Sequence, residues 1–237
     1  MKPILLAFVM LVAGASAHGA EEAPRPFRAE YESLRNGDVL GRTTLSLADN
    51  RNGTWTLRSE TRGTSGLARL ADVRVTETSR FRLRDGRPES LEYAFRQESS
   101  LRDRARDIGF DHDRGEVRTR EKGKTWRYAL VPGLIDRHLV TLALRGDLAR
   151  SAPQLQYAIA TKDHVETRTY RRTRDEQVSV PAGDFDAARV EYRGGKDGRR
   201  TIVGWYAPAL DWLPVRIEQT EGDGERMELR LLSPPAH

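Results

Sequence analysis

The chain has 237 residues, 38% hydrophobic and 32% charged, too polar for a bundle of membrane helices and long enough to fold around its own core. Cysteine is absent, which excludes disulfides, thiolate metal sites and a lipid-modified cysteine. The formal net charge is +5 and only five of the 40 basic residues are lysine, but the arginines stand singly between strand-like residues and glutamates, without the run or motif of a nucleic-acid binder.

Lys2 precedes an apolar run from Ile4 to Val12, and Ala15-Ser16-Ala17 then offers the A-x-A pattern of a signal peptidase site. Nine or ten apolar residues rise only about 15 Å as a helix, half the hydrocarbon thickness of a bilayer, so residues 1–17 read as a cleaved signal peptide rather than an anchor. The expected organisation is a linker over 18–26, one domain over 27–232 and a tail over 233–237. The expected location is the periplasm, in a protein that is not a lipoprotein.

From Phe27 onward the sequence alternates in short runs broken by Gly, Asp and Asn, as antiparallel strands do. Phe27, Ala29 and Tyr31 alternate with Arg28, Glu30 and Glu32; Asn36-Gly37-Asp38 turns into a strand over 39–48, and residues 49–53 turn into another over 54–62. In 73–84, Val75, Phe81 and Leu83 share one face and Arg74, Arg80, Arg82 and Arg84 the other. Asp85-Gly86 reverses the chain into Leu91, Tyr93 and Phe95, again of one parity, and short runs follow around Ile108, Val117 and Trp126 with Tyr128. Ile135, Leu139 and Leu142 fall at helical spacing, which predicts one helix from Asp136, its cap, to about Arg150. Strands are then expected over 155–161, 165–172, 177–180, 184–192, 201–206, 214–219 and 225–232.

Roughly fourteen strands and one short helix predict a mainly β fold, a strongly curved antiparallel sheet or an open or half barrel. A transmembrane barrel fits poorly, because the outward parity carries arginine and glutamate.

The aromatic set Phe81, Tyr93, Phe95, Trp126, Tyr128, Trp205 and Trp212 suits either core packing or the wall of a ligand cavity. Leu83, Glu77 and Gln97 share the apolar parity of their strands, so the candidate lining is Phe81, Leu83, Tyr93, Phe95, Trp126, Tyr128, Glu77 and Gln97. A buried Glu77 or Gln97 needs a partner and could orient a ligand. His112 sits in an Asp-rich turn closing at Gly115, and His138 reads as a helix-surface residue; neither has metal-ligand spacing, and no metal or cofactor is expected. Gly63-Thr64-Ser65-Gly66 has Leu67 where a nucleophile elbow requires glycine, and the glycines around Lys196 lack phosphate-loop spacing. No catalytic constellation emerges.

The segment Val180-Pro181-Ala182-Gly183-Asp184-Phe185-Asp186-Ala187, followed by Gly204-Trp205-Tyr206-Ala207-Pro208 and Leu213-Pro214-Val215-Arg216-Ile217, resembles the bacterial domain-of-unknown-function family 3108. The resemblance also takes in the Leu134-Ile135-Asp136 helix start and extends more weakly over the N-terminal meander. It implies a periplasmic all-β protein whose half-barrel is similar to envelope lipoprotein carriers, and it brings no catalytic residue. In the matching motif Pro181, Gly183, Phe185, Trp205, Leu213 and Pro214 have structural roles: turn freedom at Gly183, core anchoring at Phe185, a strand start at Leu213-Pro214. The expected function is non-enzymatic binding or carriage of a hydrophobic or amphiphilic ligand, such as a lipid, in the envelope. The alternative is a structural or partner-binding envelope protein with a filled core, and a hydrolase is the third and weakest reading.

Overall fold

A computed structural model describes residues 24–66, 69, 71–100, 103–195 and 198–236. The proposed signal segment lies outside the described residues.

Fifteen strands form one sheet among these residues, in the spatial order β8-β7-β6-β5-β4-β3-β2-β1-β15-β14-β13-β12-β11-β10-β9. The chain starts in the middle of the sheet. Strands β1 (Phe27–Arg35), β2 (Asp38–Asp49), β3 (Thr54–Gly63), β4 (Arg74–Arg84), β5 (Arg87–Glu98), β6 (Arg104–Asp111), β7 (Glu116–Glu121) and β8 (Lys124–Ala129) meander outward to one edge. The chain then crosses to the other edge at β9 (Ile135–Asp136) and helix α1 (Val140–Ala149). From there β10 (Leu155–Ala160), β11 (Val165–Val180), β12 (Gly183–Gly194), β13 (Arg200–Ala207), β14 (Leu213–Thr220) and β15 (Arg226–Leu231) meander back to the centre. There β15 pairs with β1, Tyr31 opposite Leu231 and Ser33 opposite Leu229, and Ala236 in the tail bridges to Arg28.

The predicted hairpins are present. Asn36 and Gly37, and Asp85 and Gly86, all take positive φ, the geometry of two-residue turns that follow the right-handed strand twist. The strands expected over 165–172 and 177–180 are instead one continuous strand, β11, with a bulge between Arg172 and Arg174. The predicted helix begins later: Asp136 belongs to β9, which pairs in parallel with β10, so α1 is the crossover between two parallel strands. Leu91 is also displaced. Arg80 faces Glu92 but Phe81 faces Ser90, so a bulge at Leu91 turns Ser90, fully buried, to the inside.

The concave face holds the core. Phe27, Tyr31, Leu45, Leu57 and Phe81 from one half meet Tyr157, Tyr170, Val190, Tyr206, Leu213 and Val215 from the other, around Leu139, Leu144 and Leu148 at and within α1. The two sheet edges do not hydrogen-bond strand to strand. A smaller apolar cluster, Tyr93, Ile108, Phe110, Val117, Leu134 and Ala160, fills the seam between them, with Phe95 and Tyr128 packed against it. Tyr128 Oη donates to the Thr161 carbonyl at 2.9 Å, and Lys162 Nζ sits 4.3 Å from the centre of the Trp126 ring. The architecture is therefore an open barrel closed by side chains.

The convex face explains the arginines. Glu228, 1% exposed in its side chain, is held by Arg216 at 2.8 Å, Arg230 at 2.6 Å and Arg226 at 3.4 Å. Arg80 takes Glu92 with two hydrogen bonds, at 3.2 and 2.7 Å, and Trp205 lies between the guanidinium groups of Arg189 and Arg216. Cross-strand pairing of opposite charges spreads the basic residues over the sheet instead of gathering them into one patch.

Candidate functional site

Strand alternation and the curvature of the sheet leave a cavity of about 460 Å³ on the concave side, beside the first turns of α1. Its apolar lining comes from Tyr31, Leu45, Val190, Ile202, Ile217 and Leu229 on the strands and Val140 and Leu144 on α1. Its polar lining comes from Glu77, Arg137, His138, Arg168, Arg200 and Gln219. The lining also includes a ladder of hydroxyls, Ser33 to Thr43 at 2.6 Å and Thr43 to Thr61 at 2.7 Å, three inward positions on β1, β2 and β3. Gly204 also lines the cavity, and a Cβ there would come within 2.6 Å of the Tyr206 ring, so glycine lets that ring lie against the wall.

The corner between β9 and α1 is built on Asp136, which is fully buried. Its Oδ1 accepts from Ser79 Oγ at 2.8 Å, His138 N at 2.9 Å and Leu139 N at 3.1 Å. Its Oδ2 accepts from Ser90 Oγ at 2.9 Å, and its own N–H donates back to Ser90 Oγ at 2.9 Å. Burial pushes the Asp136 carboxyl above the usual range, against the opposing pull of His138 and the hydrogen bonds. His138, expected on the surface of a helix, instead precedes α1 and lines the cavity. Its Nδ1 lies 3.1 Å from Ser79 Oγ, while Nε2 is buried without a hydrogen-bond partner. Burial lowers the His138 pKa, and it outweighs the nearby Glu77 and Asp136, which act the other way.

Beside His138, Glu77 Oε2 accepts from Tyr93 Oη at 2.6 Å and from Arg137 Nε at 3.0 Å. Arg137 also lies over the rings of Phe95 and Tyr93, at 5.1 and 5.8 Å. Burial alone would raise the Glu77 carboxyl, but Arg137, His138 and the Tyr93 hydrogen bond hold it below the usual range. Arg137 itself stays 42% exposed, at the edge of the cavity. Across from it, Arg168 donates to both oxygens of Glu166, at 3.0 and 2.8 Å, and Tyr192 Oη donates to the same carboxylate at 2.8 Å.

Of the residues singled out from sequence, Glu77 lines this cavity, and Tyr93 and Phe95 stand behind it against Arg137. Phe81 is fully buried in the main core. Leu83 packs on that core and lines a second cavity of about 520 Å³ at the far end of α1. Trp126 and Tyr128 lie at the seam, and Gln97 is half-buried on β5 outside the lining of either cavity. Among the motif residues, Gly183 with φ +126° closes the β11–β12 hairpin after Pro181, Phe185 packs on the core, and Trp205 stands within β13. Leu213 and Pro214 open β14, where the Pro214 carbonyl accepts from Tyr31 Oη at 2.9 Å, and Trp205 Nε1 donates to Glu176 at 2.6 Å. Sequence reasoning passed over Arg137, Arg168 and Ser79, whose relevance depends on the long-range pairing of the two meanders. His138 and Asp136 were visible as residue types, but their partners were not. No group of three metal-ligating side chains occurs among the described residues, and no helix there is long and apolar enough to cross a membrane.

The model of the family described as protein of unknown function, DUF3108, matches residues 27–230. The chain belongs to this family. The match reaches every one of the fifteen strands, and all residues lining the cavity lie within it. Among solved structures, the beta-barrel-like protein of domain of unknown function DUF1849 from Brucella abortus is similar, with a TM-score of 0.56 at 14% identity over 89% of this chain and 97% of that one. This likeness extends the barrel-like fold beyond DUF3108. More distant are a candidate exported protein with a YmcC-like fold from Bacteroides fragilis, with a TM-score of 0.39 at 12% identity over 91% of this chain and 97% of that one, and a candidate lipoprotein from Parabacteroides distasonis, with a TM-score of 0.34 at 9% identity over 89% and 95%. No curated protein matches the chain.

Proposed function

We propose that the protein is a non-enzymatic binding protein of the bacterial envelope, exported by its N-terminal segment to the periplasm, that holds one amphiphilic ligand on the concave side of its sheet. The observation that carries this reading is one cavity of about 460 Å³ lined both by apolar strand and helix side chains and by polar groups that include three arginines and a histidine. A cavity of this size falls within the range of about 300–1,000 Å³ common to small-molecule sites. An acyl chain against the apolar side chains would replace water there, and an acidic head would meet Arg137 at the cavity edge. The competing reading, a filled core with a partner on the arginine-rich convex face, is weaker because the concave side is not filled but leaves a cavity of about 460 Å³.

Native mass spectrometry of the mature chain purified from a bacterial envelope, with lipid extraction of the same sample, tests the proposal. One bound amphiphile is expected, and Leu144→Trp, which fills the cavity, should release it. Protein that is empty as isolated and takes up no acyl amphiphile would overturn the reading.

A further inference from the structure

The charge pairing of the convex face breaks down along one row. Arg42 on β2 stands directly opposite Arg62 on β3, and Arg62 directly opposite Arg74 on β4. Paired residues share a face, and the chain neighbours Thr43 and Thr61 line the cavity, so the three arginines project outward from the other side of the same wall. All three are exposed. Neighbouring strands lie about 5 Å apart, which puts the three positions within about 10 Å of one another. Arg62 has a carboxylate, its Nε donating to Glu60 Oε1 at 2.7 Å, but Arg58 shares that group. Arg42 and Arg74 make no hydrogen bond or ion pair among the described residues. The carboxylates that flank them in the row do not neutralise them: Glu32, opposite Arg42 on β1, is 3.7 Å from Arg230, and Glu98, opposite Arg74 on β5, is exposed and makes no ion pair.

We propose that this row docks the protein on a bilayer of anionic phospholipid, the arginines meeting the phosphates. Like charges set directly opposite one another cost stability, and an anionic surface laid over them relieves that repulsion. A row on a convex face cannot enclose a small ion, but it presents its charges together to a broad surface. Val39, 47% exposed and the one exposed large hydrophobic side chain among the described residues, stands on β2 three residues before Arg42, an apolar contact beside the charges that suits a bilayer. The docking surface is separate from the cavity and does not depend on a ligand there. Each arginine close to an anionic bilayer strengthens binding about fivefold, and salt screens the attraction.

The test is sedimentation of the mature protein with vesicles of phosphatidylcholine alone and of an equal mixture with phosphatidylglycerol. Association with the mixed vesicles only, reversed by high salt, is expected. Arg42→Gln combined with Arg74→Gln should weaken it about 25-fold. Arg114→Gln combined with Arg193→Gln removes the same charge from side chains 77% and 75% exposed on the β6–β7 turn and β12, and should weaken it by no more than about twofold. Equal losses in the two double variants would assign the effect to net charge and overturn the proposal. No association of the parent protein with the anionic vesicles would overturn it as well and leave the row to an acidic protein partner. Urea unfolding gives a readout without lipid: the Arg42→Gln and Arg74→Gln double variant should unfold at a midpoint no lower than the parent's, because it removes repulsion. A lower midpoint would make the arginines structural and overturn the proposal.

Discussion

Removing the Asp136 side chain should be among the most damaging single changes in the protein. Asp136→Ala leaves four donors without their acceptor in a fully buried corner: the hydroxyls of Ser79 and Ser90 and the N–H groups of His138 and Leu139. The hydroxyls can rotate, but the two main-chain groups cannot. At about 1–3 kcal/mol for each orphaned buried donor, and with some relief from removing a desolvated carboxyl, the expected loss is about 3 kcal/mol. Asp136→Asn keeps an oxygen for both N–H groups and for Ser79 and should cost about 1 kcal/mol. With total stability of about 5–15 kcal/mol, the alanine variant still folds and can be measured. Urea unfolding followed by far-ultraviolet dichroism should show its midpoint lowered by about 1 M or more, with the slope unchanged. An alanine variant within about 0.5 kcal/mol of the parent, or an asparagine variant that costs as much as alanine, would refute the reasoning.

His138 titrates below its usual value in the folded state, so its contribution to stability is complete above about pH 6.5 and is lost as pH falls through and below that value, because the unfolded chain takes up the proton first. The urea midpoint of the parent protein should therefore fall more between pH 7.5 and 5.5 than that of His138→Phe, and parallel pH profiles would contradict this. Glu77, also depressed, adds a loss that sets in only as the pH falls through its ordinary value of 4.5 and below. Gly41, on β2 opposite Gly63, has no room for a side chain: a Cβ would lie 2.0 Å from the Arg62 carbonyl oxygen, and main chain cannot step aside. Gly41→Ala should lose about 1–3 kcal/mol in thermal unfolding, whereas Gly109→Ala on β6, with open space around the new atom, should change stability by no more than about 0.5 kcal/mol.

The two meanders were legible because their information is local. Alternation along β1 to β4 and the Asn-Gly and Asp-Gly pairs fix which side chains face inward and where the chain reverses, and the structure agrees with them at Phe27, Tyr31, Phe81 and Gly37. What depends on distant partners was not. Ser90 reads as an outward residue by parity until the bulge at Leu91 is known, and that bulge is what brings it to Asp136. The spacing of Ile135, Leu139 and Leu142 is the same whether a helix starts at residue 136 or 140; only the parallel pairing of β9 with β10 decides. For the candidate site, alternation found Glu77 and Tyr93, but Arg137 and His138 lie in the short non-repetitive link between a strand and a helix, where no periodicity assigns a direction. Arg168 shares the inward parity of Tyr170, yet an isolated arginine on a strand with arginines on both faces gives no sign that it meets a cavity.

The central claim is that a ligand enters between the sheet and the first turns of α1, and methyl-resolved NMR of the mature protein titrated with decanoic acid tests it most directly. The methyl signals of Leu45, Val140, Leu144, Val190, Ile202 and Leu229 should shift together and saturate at one equivalent, while those of Ile108 and Val117 at the seam stay in place. Shifts confined to the seam or to residues around the far end of α1, or no shifts at all, would contradict the account.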